Sequence, residues 1–349
     1  MSSNRKPWRM TAPVEVLGTG RAVPGEPLSS DDLIAIISDH FNFARGGTAR
    51  LLAQRMQIHS RHISRAFSER HEMVLPNCSN PCIAAEAVRN ALHDARIGVE
   101  NVGYIIAHTT TPETHLPPNI SHVADLLGYE GPYVELRQAC TGFANALMVA
   151  SGLIASGIEG AVVIVGSETG SLFLDPGELG EASDQIVNLM QMGDGAGAIV
   201  LGHVSDAGCS RISQAWFGTA GLGQSPGIRL DSGAQKFSHD FARIATNGPA
   251  LFEAGIAELA ECAFDVEDID IVIPHQVSGR VGEQLSQQTG LPIEQIYINA
   301  NRLGNTGSAA MWIALAELRE GWMKPGMRAA ALGAEASKYM YGGFIYEHR

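Results

Sequence analysis

Two apolar runs with the same ending set the pattern of this chain. "VENVGYIIAH" (99–108) and "VEDIDIVIPH" (266–275) each carry Val-Glu, continue as an apolar stretch and close on histidine. Short apolar runs of this kind, rich in β-branched residues, read as buried strands. The two lie 167 residues apart, and the same offset brings other features into register. Ala87 falls on Ala254 and Leu92 on Leu259, in Ala-rich stretches that read as helices. Leu136 falls on Leu303. "VVIVGSE" (162–168) falls on "AAALGAE" (329–335), with Gly166 on Gly333 and Glu168 on Glu335. Identities are few; the constant register of strands, glycines and histidines is what predicts a duplication. Each unit reads helix, strand, loop, strand, helix, strand. The fold class is therefore α/β with two similar halves, placed at residues 1–185 and 186–349.

"VELRQACTGFANALMVASGLIASG" (134–157) breaks the alternation. An extended start, Val134 to Leu136, runs into Cys140, and an almost uncharged stretch follows. A helix with sheets on both sides must be apolar all round, which suits Ala144, Leu147, Met148, Leu153 and Ile154. The offset places Cys140 on Gly307, inside "RLGNTGSAAMWIALAEL" (302–318), again a Gly-rich turn entering an apolar helix. Two equivalent helices are thus expected to start near a pseudo-twofold axis. A cysteine at such a turn is most often a core thiol. At a helix N-terminus, however, partial positive charge and unpaired N–H groups favour its thiolate.

A nucleophilic cysteine needs a base and charge stabilisers. His275 stands where an apolar strand ends at Pro274, and Asn305 lies in "GNTG", where glycines permit close backbone approach. Alone, such a histidine is usually structural, and an asparagine in a glycine-rich turn usually takes the left-handed conformation. Together with Cys140 they occupy matching ends of repeated elements, where open α/β sheets place their sites. The order Cys, His, Asn also fits a papain-like hydrolase, with His275 lying 135 residues after Cys140. The flanks of Cys140 are not those of that family, and an α/β duplication is foreign to its fold.

Composition narrows the classes. The 349 residues are 45% hydrophobic and 17% charged, ample for a core, and the net charge of −13 argues against nucleic-acid binding. Five cysteines without disulfide-framework spacing point to a reducing compartment. Cys78 and Cys82 lack a second pair with zinc spacing, so no metal is expected. "MSSNRKPWRM" has no apolar leader core, and no apolar run reaches about 18 residues. A cytoplasmic protein without membrane association is expected.

"QACTGF" (138–143), "PHQ" (274–276), "GNTGSAA" (304–310) and "MGDGAGAIVLG" (192–202) resemble, in order and over essentially the whole chain, the β-ketoacyl-acyl-carrier-protein synthase III family. "GDGAGA" runs directly into a strand, which argues against a phosphate loop. The resemblance implies a thiolase-like duplicated αβαβα layered fold and a homodimer paired through the central sheet edge. It implies that Cys140 accepts an acyl group, that a malonyl thioester then loses carbon dioxide, and that the carbanion attacks the acyl group. His275 and Asn305 would donate hydrogen bonds to the enolate, and backbone N–H groups of Cys140 and the C-terminal loop would hold the acyl oxyanion. Phe143 would belong to the substrate site. Acyl-coenzyme A or acyl-carrier-protein thioesters would be substrates, with no cofactor and no metal.

The chain departs from the family in three places. "GAEASKYMYGGF" (333–344) stands where the family has a glycine cluster, with Ser337 at the aligned oxyanion donor. Arg55, opening "RMQIHSRHIS" (55–64), and Arg280 match phosphate- and carrier-contacting arginines, but Leu51 replaces the tryptophan that stacks on adenine. Ser278 replaces an asparagine in "HQVSG" (275–279). Retained cations without the ring point to an acyl carrier protein for at least one substrate, and the three departures together to a specialised synthase of secondary metabolism rather than the initiator of fatty-acid synthesis. A non-condensing acyltransferase is the alternative, against which Asn305 speaks, since such relatives can carry Asp there. A catalytically silent partner subunit is a third reading.

Overall fold

The computed structural model describes residues 6–41, 43–67, 73–174, 179, 183–205, 208–230, 236–262, 264 and 266–349. One ten-stranded sheet organises them, in the order Ile271–Pro274, Arg328–Glu335, Met340–Glu347, Arg211–Thr219, Val14–Ala22, Gly195–Gly202, Ala161–Glu168, Val102–His108, Tyr133–Leu136, with Trp8–Arg9 paired beside Arg211–Thr219. The expected register holds. Strands Ala161–Glu168 and Arg328–Glu335 differ by the 167-residue offset over their full length, as do the helical turns Val99–Asn101 and Val266–Asp268. The first of these strands runs parallel to Val102–His108, which ends on His108, and the second to Ile271–Pro274, which ends one residue before His275.

The unbroken apolar runs follow from burial on both faces. On one face Ile105, Ala107, Val163, Val165 and Ala198 pack against the helix Asn80–Ala95. On the other, Ile106, Val162, Ile164 and Ile199 meet the helices Gly142–Ala155 and Ala310–Gly321. Those two helices also cover Ile273, Ala331 and Phe344 of the second half. Beyond that layer, Trp216, Val272, Ala330 and Ile345 pack against Leu259 of the helix Phe241–Glu261. The layers therefore run helix, sheet, helix, sheet, helix.

Two details differ from expectation. Helix Ala310–Gly321 is buried from Ala310 to Leu318, but its counterpart leaves Met148 and Leu153 half-buried. Leu303, the counterpart of Leu136 at a strand end, lies in a single helical turn, Ala300–Leu303. That turn delivers Asn305 to a bridge with Met192. Among the described residues no helix is long and apolar enough to cross a membrane.

Candidate active site

Cys140 lies in the turn between strand Tyr133–Leu136 and helix Gly142–Ala155, with Thr141 as the residue before the first helical turn. It is a free thiol on the wall of a cavity of about 500 Å³ that also exposes Thr110, Glu168, Asn305, Gly307 and Ser337. Two buried glutamates frame it, and they are the pair that the offset matched. Glu168 accepts hydrogen bonds from Thr110 (N–H 3.1 Å, hydroxyl 2.9 Å) and from the hydroxyls of Thr111 and Ser308. Glu335 accepts from the Thr141 N–H at 2.9 Å, from the Thr141 hydroxyl at 2.7 Å and from the Ser337 hydroxyl.

Burial, with these carboxylates, reverses the electrostatic expectation for the thiol. Burial pushes the Cys140 thiol well above its ordinary value, and the charges of Glu335 and Glu168 push it further. The helix terminus does not compensate, because Cys140 precedes the first turn and Glu335 already occupies the Thr141 N–H. Burial also raises the Glu168 carboxyl, against its hydrogen bonds from Ser308, Thr111 and Thr110.

His275 reaches the same region through the strand beside it. Its N–H donates to the Leu332 carbonyl at 2.7 Å. The next residue, Gly333, lies against the nucleophile turn: a Cβ there would sit 3.3 Å from the Cys140 carbonyl oxygen and 2.5 Å from Phe143. Glycine is required for that approach. His275 is 4% exposed, and burial lowers it to about 4, so the ring is neutral at neutral pH. Neither ring nitrogen has a hydrogen-bond partner among the described residues. Gln276 holds the following chain by donating to the Tyr297 carbonyl at 3.0 Å and accepting from the N–H groups of Asn299 (2.7 Å) and Ala300 (3.0 Å).

Asn305 is held by backbone on both sides. Its N–H donates to the Gln191 carbonyl at 2.8 Å, and its carbonyl accepts from Gly193 at 3.1 Å. Its side-chain oxygen accepts from the Gly307 N–H at 3.0 Å, which orients the amide and leaves Nδ2 as the free donor end. The glycines around it serve chain against chain. A Cβ on Gly193 would lie 1.7 Å from the Leu303 carbonyl oxygen, and Gly304 takes φ of +70°. Close approach of two loops, more than approach to a ligand, explains these positions.

The cavity wall thus holds Cys140, Asn305 and Ser337; His275 and Phe143 lie outside it. Phe143, expected at the substrate site, is buried in the core, edge-on to Trp312 and Phe344 with centroids at 6.0 and 5.7 Å. Its position one residue into an enclosed helix turns the ring inward. Ser337 sits on the turn between strands Arg328–Glu335 and Met340–Glu347. The two arginines lie on neighbouring segments, since the Gly279 N–H donates to the Met56 carbonyl at 2.9 Å. Arg55 and Leu51 are exposed on helix Gly46–Met56, and Arg280 is 3.9 Å from Glu283, which also accepts from Gln57 at 3.0 Å.

His108, the counterpart of His275, has taken a different role. It is fully buried, accepts at Nε2 from the Trp312 indole N–H at 3.1 Å, and is lowered by burial to about 3. The functional neighbours that the sequence did not single out are Thr141, Glu168 and Glu335. The repeat register had aligned the two glutamates, but alignment alone carried no sign that both would face one cysteine.

Comparison with known proteins agrees with this fold. The 3-oxoacyl-[acyl-carrier-protein] synthase III profile matches residues 134–221, and the profile of that family's C-terminal part matches residues 259–347. The β-ketoacyl-[acyl-carrier-protein] synthase III of Neisseria gonorrhoeae is 29% identical over 346 residues, 95% of this chain and 97% of that protein. Its counterpart from Clostridium acetobutylicum is 27% identical over 340 residues, covering 92% and 94%. Among solved structures, AbyA1, a tetronic acid condensing enzyme, superposes with a TM-score of 0.81 at 26% identity over 96% of this chain and 99% of that one. Xanthomonas campestris OleA, at 20% identity and a TM-score of 0.83 over 97% and 99%, shares the fold. The matched profiles, the duplicated layers and the register of relatives along nearly the full chain place this protein in the 3-oxoacyl-[acyl-carrier-protein] synthase III family of acyl-transferring, thiolase-fold enzymes.

Proposed function

We propose that this enzyme loads an acyl group on Cys140 and condenses it with a malonyl thioester by decarboxylation. The observation that carries the reading is the amide of Asn305. Its oxygen is taken by the Gly307 N–H, so Nδ2 presents a donor on the cavity wall that Cys140 shares. His275 supports it as a neutral ring with two unpartnered nitrogens, one of which is an N–H donor. Donors fixed where an enolate develops are worth far more than the same donors in water. The Cys140 and Ser337 N–H groups make no hydrogen bond to a backbone carbonyl among the described residues, which suits an acyl oxyanion. Thiol acylation requires loss of the Cys140 proton, and a neutral imidazole can take it.

Incubation with short acyl thioesters followed by intact-mass and peptide analysis tests the loading step. The acyl mass is expected on Cys140 alone, since Cys78, Cys82, Cys209 and Cys262 do not line the cavity. A label on any of those four would remove Cys140 from the reaction. Carbon dioxide release from a malonyl thioester separates condensation from simple acyl transfer to an alcohol or amine.

The donor is read as an acyl carrier protein. Arg55 and Arg280 project from segments joined by the Gly279–Met56 hydrogen bond, and the exposed Leu51 gives an adenine no aromatic face. Charge-assisted hydrogen bonds to a phosphopantetheine phosphate or an acidic carrier follow from that patch. Arg280→Glu is expected to raise the KM for a carrier-bound substrate several-fold, with less effect for a short pantetheine thioester and a weaker difference at high salt. Equal effects on both substrates would reduce Arg280 to surface charge. The terminal strand Tyr133–Leu136 offers the free sheet edge for a homodimer. Five free thiols suit the cytoplasm, and the departures at Leu51, Ser278 and Ser337 suit secondary metabolism.

A further inference from the structure

The far wall of the Cys140 cavity combines aromatic rings with unsatisfied polar atoms. Phe173, Phe237 and His239 follow one another with centroid separations of 6.1 Å each. Against them lies helix Ser183–Gln191, which brings Gln185 and Asn188 to one face. Both amides donate to the Phe237 carbonyl, Gln185 at 2.9 Å and Asn188 at 3.2 Å. A carbonyl oxygen only accepts, so these bonds settle the orientation of both amides. They leave the Asn188 Oδ1 buried and without a partner among the described residues, on a residue that lines the cavity and is 7% exposed. The Nδ1 of His239, on the same cavity, is likewise buried and has no partner among the described residues. Burial lowers this ring to about 4, so it is neutral and offers one N–H and one lone pair.

An alkyl chain laid on this wall leaves these groups orphaned, and a buried polar group without a partner is costly. A hydroxyl answers both at once, donating to Asn188 Oδ1 and accepting from the imidazole N–H. The wall also has a defined place relative to the chemistry. The Met192 N–H donates to the Asn188 carbonyl at 3.0 Å, so Asn188 lies one helical turn before Met192, which bridges to Asn305.

Resting on the reading of Cys140 as the acyl acceptor, we infer that this cavity selects an acyl thioester bearing a hydroxyl on its chain, with Asn188 and His239 as the specificity-determining residues. Selection of this kind works through rejection: the chain lacking the hydroxyl strands the buried oxygen of Asn188.

The test is acyl loading of the full-length enzyme, read by intact mass over time. Hexanoyl pantetheine thioester is compared with hydroxyhexanoyl thioesters carrying the hydroxyl on the third or the terminal carbon. At least one hydroxyacyl substrate is expected to load about ten- to a hundredfold faster than the plain chain. In Asn188→Leu that ratio is expected to collapse towards unity. Equal loading of plain and hydroxylated chains by the unaltered enzyme overturns the inference and leaves the acyl-enzyme reading standing. Persistence of the preference in a folded Asn188→Leu removes Asn188 from it. Failure of every thioester to load on Cys140 overturns the acyl-enzyme reading itself, and this inference with it.

Discussion

Asn305→Asp is expected to cut carbon dioxide release from a malonyl thioester by about 100- to 1,000-fold while leaving acylation of Cys140 in place. The substitution is narrow in what it changes. An aspartate oxygen can still accept from the Gly307 N–H, now at 3.0 Å, so the loop keeps its anchor. The backbone bonds to Gln191 and Gly193 do not involve the side chain. Only the Nδ2 donor is lost, and a negative charge appears where the enolate would form. Gly307, the anchor of this side chain, lies against Glu168, where an added Cβ would come within 2.9 Å of Cγ, so the new charge would also meet an existing carboxyl. Radiolabelled carbon dioxide measures the first step, and intact mass measures the second. Decarboxylation at the parent rate would show that Asn305 is not an enolate donor.

Alkylation of Cys140 in Glu335→Gln is expected to run several-fold faster at mildly alkaline pH than in the parent. Burial and the carboxylates of Glu335 and Glu168 all hold the thiol above its ordinary value. Removing the Glu335 charge removes one of the three, so the midpoint of the pH–rate profile moves to lower pH. Burial is the largest cause and remains, so the midpoint stays above that of an ordinary thiol. Glutamine keeps an oxygen for the Thr141 N–H and hydroxyl, so the turn is retained while the charge is lost. Rates of iodoacetamide labelling at Cys140, followed by peptide mass across pH, give the profile. Superimposable profiles would mean that the Glu335 carboxylate carries no charge felt by the thiol. A faster thiol with slower condensation would assign the buried charge to a later step than acylation.

The chain's own pattern was most legible where burial on both faces leaves a periodic trace. Strands Val102–His108 and Ile271–Pro274 stand at the matched apolar runs, and strands Ala161–Glu168 and Arg328–Glu335 hold the 167-residue register residue for residue. Helix Ala310–Gly321, enclosed by sheet faces, reads in the sequence as apolar all round because it has no solvent side. Of the three candidates read from element ends, Cys140 and Asn305 share one cavity wall and His275 lies outside it.

What the sequence by itself determined, then, is the duplicated α/β layering and the places where its repeated elements end. Local periodicity records which side of an element meets the core, and that record needs no knowledge of the partner. Tertiary structure alone decided what each of those ends became. His108 and His275 share a register, yet one ring meets the indole of Trp312 and the other ring has no hydrogen-bond partner among the described residues. Phe143, close to Cys140 in sequence, turns into the core because Gly333 leaves room for its ring. The Cys140 thiol is raised by burial first and then by Glu335 and Glu168, far away in the chain, against what the neighbouring helix would impose. Hydrogen bonding and electrostatics at a site are set by distances between groups remote in sequence, and those distances exist only once the two halves are packed together.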